Sequence, residues 1–303
     1  MKRLFANSSR LWKFGLRTCG SVLILLWSAG FATAAPAAHH VMLLTGQNNH
    51  NWQATTLELQ KILNETELFE VTVVTTPAIG VRTEEWSRCP LNFSNYQAVV
   101  MNWNDFGVKT ASDKAVMPWM DDLVHYVENG GALVAVHAAS LEYQTNYPSL
   151  VGLGWHNAGF GDRLTLDDAG HVLRTPNGQG PGTGHGKPFE WVVTLRAPGH
   201  PICQGLPSAW QHVRDELWHG ARGPAKNMEI LATAFSPITQ ANEPVMWTVR
   251  SGRGRVFVTL LGHDAAAMED DCFRCTLARG CEWATTGRVT QPAPKPAPAL
   301  KSP

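Results

Sequence analysis

The stretch Gly130-Gly-Ala-Leu-Val-Ala-Val-His-Ala-Ala-Ser140 constrains the fold more than any other part of the sequence. Ala132–Val136 is a short unbroken apolar run, as a strand covered on both faces of a parallel sheet requires. Upstream, Val116–Glu128 places Met120, Leu123, Val124 and Val127 at helical spacing, and Asn129-Gly130-Gly131 supplies a left-handed closing turn. Helix, glycine turn and buried strand make half of a βαβ unit. In open α/β sheets ligands bind beyond the carboxyl ends of the strands. His137 and Ser140 fall there, so His137 is either a site residue or a histidine that caps the strand.

The same alternation runs through the first half of the chain. Val41–Thr45 reads as a strand, followed by the polar loop Gly46-Gln-Asn-Asn-His-Asn-Trp52. That loop has one glycine and no P-loop lysine, so it is a poor phosphate cradle. A helix follows over Ala54–Asn64, with Leu57, Ile62 and Leu63 on its inner side. Phe69–Thr75 and Ala98–Met101 are the next strands, the latter ending in Asn102-Trp103-Asn104-Asp105. The pattern predicts an α/β fold: a doubly wound, mostly parallel sheet between helical layers, α/β/α. On that sheet His50, Asn102, His137 and His263 should share one edge and one cleft.

Beyond Ser140 the pattern loosens. Pro148–Trp155 is a short helix or turn. Gly159–Gly186 is rich in Gly, Pro, Asn and Asp, and a loop of that length is functional or disordered. Phe189–Leu195 and Ile230–Ala234 read as strands. Val245–Arg250 and Arg255–Leu261 form a hairpin around Ser251-Gly-Arg-Gly254, ending at Gly262-His263-Asp264.

The two ends differ in composition. Lys2, Arg3, Arg10, Lys13 and Arg17 precede the apolar Val22–Trp27, and Ala32-Thr33-Ala34 fits a signal-peptidase site. Residues 1–35 therefore read as a cleavable signal peptide, too short in its apolar run to anchor in a bilayer. The mature chain is expected in the periplasm or secreted, free of the membrane. Its domain spans residues 39–288, and the Pro/Ala-rich residues 289–303 form a solvated tail. The whole chain balances 25 basic against 25 acidic residues, so removing the basic leader leaves a mildly acidic protein. Nucleic acid is not an expected partner. Cys89, Cys203, Cys272, Cys275 and Cys281 remain, an odd number. Cys272-x-x-Cys275 lacks a second pair and a redox context, which points to core packing or to a disulfide of open pairing.

Nucleophilic catalysis is disfavoured, because no Gly-x-Ser-x-Gly elbow exists and Ser140 lacks flanking glycines. Two other chemistries stay open. Twelve histidines, among them His50, His137, His156, His185, His200, His219 and His263 in loops, offer ligands for a divalent metal. No His-x-His or His-Glu-x-x-His spacing appears, so distant loops would have to assemble such a site; His137, His185 and His263 are the candidates. Metal-free acid–base chemistry needs a carboxylate beside a histidine. Glu216, next to Asp215 and near His219, is the best one, unless it pairs an arginine and Asp215 caps a turn. Trp52, Trp103, Trp155 and Trp218 lie near these polar groups and suit the CH faces of sugar rings, or else fill the core.

Several motifs then occur in register: Val136-His-Ala138, Gly184-His-Gly186, His200-Pro-Ile202, Gly205-Leu-Pro207 and Asp215-Glu-Leu-Trp218. Arg222-Gly-Pro-Ala225, Asn227-Met228, Leu231-Ala-Thr-Ala234, Pro244-Val-Met-Trp247, Gly254-Arg-Val-Phe257 and Gly262-His-Asp264 continue the series. Through them the chain resembles the ThuA-like, trehalose-utilisation family of the class I glutamine amidotransferase-like superfamily, over about residues 40–287. The resemblance implies a flavodoxin-like sheet and a carbohydrate or modified-sugar substrate, glycoside or keto sugar, without a settled reaction. Glutaminase members of the superfamily carry a cysteine where this chain has His137, so glutamine hydrolysis is not expected. On this reading Glu216, His137 and His263 are catalytic. His50, Trp52, Asn102, Trp103, His185, Asp215, Trp218 and Asp264 bind substrate. The alternative is a non-catalytic carbohydrate-binding or scaffold protein.

Overall fold

Along the first strand, β1 (His39–Thr45), Val41 and Leu43 enter one apolar cluster while Met42 and Leu44 enter the other. A strand with both faces buried belongs in the middle of a layered α/β sheet. The computed structural model describes residues 38–78, 85–86, 88–89, 91–106, 119–140 and 146–294. The segment read as a signal peptide, and the end of the tail, lie outside the described residues.

With β2 (Phe69–Thr75), β3 (Ala98–Met101) and β4 (Ala132–Val136), β1 forms parallel pairs that β14 (Gly254–Thr259) extends. The order β2-β1-β3-β4-β14 is the flavodoxin-like one. From β14 the sheet continues antiparallel through β13 (Ala241–Ser251), β12 (Met228–Ser236), β8 (Phe189–Leu195) and β9 (Ala209–Asp215). The hairpin expected at Ser251–Gly254 is there, pairing those two residues.

Helices Trp52–Asn64 and Asp271–Thr286 cover one face with Leu59, Ile62, Leu63, Phe273 and Leu277. Helices Trp119–Glu128 and Tyr147–Val151 cover the other with Met120, Leu123, Val124 and Leu150. Gly130 takes φ 112 at the close of the helix before β4, a conformation open to glycine. One inner-face assignment is corrected. Leu57 is 67% exposed, because that helix turns Thr55 and Thr56 inward to bond Asn102 and Thr45.

Gly159–Gly186 is not one long loop. It contains β5 (Asp162–Leu166), β6 (Val172–Thr175) and β7 (Gly184–His185), which pair respectively with β11 (Arg222–Gly223), with β5, and with β10 (Trp218–His219). The buried Arg222 guanidinium donates to the carbonyls of Pro181, Gly161 and Gln179 and gathers the segment around one cation. The tail is likewise not free at its start. Glu282 accepts from the backbone N–H groups of Thr290 at 2.6 Å and Gln291 at 3.0 Å. All five described cysteines are free thiols, with Cys203, Cys272 and Cys281 buried. Among the described residues, no helix is long and apolar enough to cross a membrane.

Candidate active site

His50 follows β1, His137 follows β4 and His263 follows β14, so all three stand at the carboxyl ends of parallel strands of one sheet, β4 and β14 being neighbours and β1 separated from β4 by β3. The loop carrying His50 is braced by its asparagines. His50 N–H donates to Asn48 Oδ1 at 3.0 Å, and Asn104 donates to Asn48 and Asn49 at 2.9 and 2.8 Å. His50 lies with its ring centroid 5.1 Å from that of His137 and 4.6 Å from that of His263.

His137 leaves β4 with φ 45, a left-handed value uncommon for a residue with a side chain. Its Nδ1 lies 2.6 Å from the carbonyl of Leu260. A carbonyl only accepts, so Nδ1 carries a proton and Nε2 is the ring nitrogen left to face the pocket. That Nε2 is buried without a hydrogen-bond partner.

Glu216, between β9 and β10, is the centre of the cluster. His137 Nε2 stands 3.5 Å from Oε2, while His263 Nε2 and His185 Nδ1 stand 3.3 and 3.5 Å from Oε1. The short antiparallel β7–β10 ladder sets His185 opposite Trp218 and so brings it here. Burial alone would raise the Glu216 carboxyl, but His137, with His263 and His185, holds it below the usual range. His50 is lowered to about 4 by burial and by its neighbours His137 and His263, so it is neutral at pH 7. Imidazoles gathered around a carboxylate can accept protons, pass them on, or ligate a cation. The ligand atoms of His50, Glu216 and His263 all lie within 4.8 Å of one another.

Asp215 was expected at the substrate, but it lies beneath the site. Its Oδ1 accepts from the N–H of Glu216 at 2.8 Å and of His263 at 3.2 Å. Its Oδ2 accepts from the N–H of Gly262 and from His212. Gly262, at φ 88, makes the turn that allows this, and a Cβ there would meet Phe273 at 2.7 Å. His212, in turn, stands 3.6 Å from Asp270, which caps the terminal helix. The sequence reading missed His212 and Asp270. The His212-x-x-Asp215 spacing was the visible signal, but a strand end gives no reason for the two side chains to meet.

The aromatic residues divide differently from expectation. Trp103 is wholly buried, its indole N–H bonded to Thr76 and its ring edge-on to Trp119. Trp218 is buried too, packed against His137 at 5.2 Å and Trp155 at 4.9 Å. Half-buried Trp155 also meets His185, at 5.5 Å, and is the aromatic surface at the rim. Trp52 is half-buried in the first turn of its helix. Asn102 is consumed by Thr55 and Thr56. Asp264 caps the turn at Ala267 and stands 3.5 Å from His263 Nδ1. His156 stacks on Phe160 and His200 packs on Trp283, both away from Glu216's partners.

The model of the ThuA family, described as trehalose utilisation, matches residues 40–284. A ThuA-like protein from Parabacteroides merdae ATCC 43184 superposes with a TM-score of 0.75 at 35% identity, covering 86% of this chain and 94% of its own. A ThuA-like protein from Bacteroides uniformis ATCC 8492 shares the fold, with a TM-score of 0.56 at 15% identity over 86% of this chain and 96% of its own. No curated protein matches. With the family model matching nearly the whole described chain and the flavodoxin-like sheet in place, this chain belongs to the ThuA, trehalose-utilisation family.

Proposed function

We propose that the protein is an exported enzyme of carbohydrate metabolism that acts on a glycoside or an oxidised sugar by acid–base chemistry, assisted by a divalent ion. The observation that carries this reading is the convergence of His137, His185 and His263 on one buried carboxylate, Glu216, at 3.3–3.5 Å. Such a set can take a proton from a sugar hydroxyl or an activated C–H and return it elsewhere, directly or through a water it holds. His137 turns its Nε2 to the pocket, and His263, with 23% of its side chain exposed, connects the pocket to solvent. Trp155 offers a flat face at the rim, as sugar rings require. Export is supported by the basic, apolar and small-residue sequence of residues 1–35.

A panel of glycosides and oxidised sugars, assayed with the wild type and with Glu216→Gln, tests the catalytic part. We expect turnover to fall about 10²–10⁴-fold in the variant while sugar affinity is retained, the signature of a lost transition-state contact. Sugar binding by the wild type without any turnover would instead favour a carbohydrate-binding protein. For export, the amino terminus of the secreted form should begin shortly after Ala34; retention of residues 1–30 would refute it.

A further inference from the structure

We infer that His50, His137, His263 and Glu216 form a site for one first-row transition ion of zinc-like preference, with His185 outside the ligand set. The inference rests on the reading of this pocket as the working site and names the ion and its holders.

Spacing is the first argument. A nitrogen–oxygen hydrogen bond closes to about 2.9 Å. The separations from Glu216 to His263 and His137 are 3.3 and 3.5 Å. Ligands bound tetrahedrally at about 2.0–2.1 Å stand about 3.4 Å apart. The groups are thus spaced as ligands around an ion rather than as partners in a hydrogen bond: the ligand atoms of His50, Glu216 and His263 lie within 4.8 Å of one another, and His137 Nε2 faces the other oxygen of the same carboxylate.

The orphaned nitrogen of His137 is the second argument. Only 3% of the residue is exposed, and its Nε2 has no hydrogen-bond partner, a state that buried polar atoms rarely keep without a ligand. Its other nitrogen is committed to the Leu260 carbonyl. Metal-bound histidines are held in this way, with the second N–H on a backbone carbonyl, which fixes the tautomer and aims the lone pair. Asp215 supplies the same support from below by holding the backbone of both Glu216 and His263.

Donor chemistry selects the ion. Three imidazoles and one carboxylate suit zinc, cobalt, nickel, iron or copper, whereas magnesium and calcium take oxygen ligands. His185 is excluded because its Nδ1, the atom nearest Glu216, already faces the Gly186 carbonyl at 2.8 Å, and 35% of its side chain is exposed. When bound, such an ion polarises a sugar or water oxygen offered as a further ligand.

The test uses untagged mature protein, stripped by a chelator and titrated with Co²⁺ and then Zn²⁺ without sugar. We expect one ion per chain, the visible absorption of low-coordinate cobalt, its loss on adding zinc, and a higher melting temperature with zinc. His50→Asn and His263→Gln should each weaken zinc binding by about 100-fold, while His185→Ala changes it less than about twofold. His50 sits in a half-exposed loop, so its variant should fold, and circular dichroism checks this. No stoichiometric cobalt or zinc binding by the wild type, or binding that survives both ligand substitutions in a folded protein, would overturn the site. So would saturation by Mg²⁺ alone. Sugar turnover that persists after complete chelation would sink the ion yet leave the sugar reading intact. An ion bound without any sugar activity would do the reverse.

Discussion

His212 donates from Nε2 to Oδ2 of Asp215 over 2.9 Å, and neither side chain reaches solvent. The pair sits under the cluster described above. It links the cap of the terminal helix, Asp270, to the backbone that presents Glu216 and His263.

This pair makes stability depend on pH in the alkaline range. Burial alone would lower His212, but its bond to Asp215 and the Asp270 carboxylate 3.6 Å from its other nitrogen override that and raise it to about 9. A folded-state pKa above the ordinary 6.5 stabilises fully below pH 6.5, and that stability is lost as pH rises through about 9. The amount is about 3 kcal/mol. Melting temperature should therefore fall between pH 6.5 and 9, and His212→Gln should flatten that fall. An identical pH profile in the variant would contradict the assignment.

Asp215→Asn should damage stability and the site together. It removes the counter-charge of a buried histidinium, a change worth roughly 3–5 kcal/mol, and unsettles the backbone of Glu216 and His263. Glu216→Gln should differ by losing turnover with little loss in melting temperature. Denaturant titration beside turnover on both variants separates the two roles.

At His137 the backbone and the ring can be tested apart. Its φ of 45 is open to glycine and disfavoured for alanine. Both His137→Gly and His137→Ala should abolish activity. The glycine variant should be more stable than the alanine variant by about 1 kcal/mol. Equal stabilities would show that the site stores no strain here.

Arg222→Lys is expected to be severe. A lysine amine cannot reproduce the planar fork that reaches three carbonyls. Orphaning buried acceptors costs about 1–3 kcal/mol each. Limited proteolysis should then cut within residues 176–183 faster in the variant than in the wild type.

The two tryptophans of the pocket should respond oppositely. Trp218 is 2% exposed, so Trp218→Ala should lower stability by about 3–5 kcal/mol. Half-buried Trp155 is the surface available to a ring, and Trp155→Ala should weaken sugar affinity with a smaller effect on melting. Calorimetric binding and thermal denaturation of both variants decide it.

The sequence by itself determined the elements whose cause is local. Apolar runs marked β3 and β4, Gly130 marked the end of a helix, and Gly252-Arg253 marked a tight hairpin. It also put His137 at a strand end, because alternating buried strands and helices imply which end of the sheet is polar. Periodicities of 2.0 and 3.6 residues carry no information between distant segments. Only the tertiary structure decided that β14 lies beside β4, and hence that His263 meets His137. It alone buried Trp103, turned Asp215 away from the pocket, and folded Gly159–Gly186 around Arg222. Each of these turns on which far-off group satisfies a buried polar atom, and that is settled by packing across the sheet rather than along the chain.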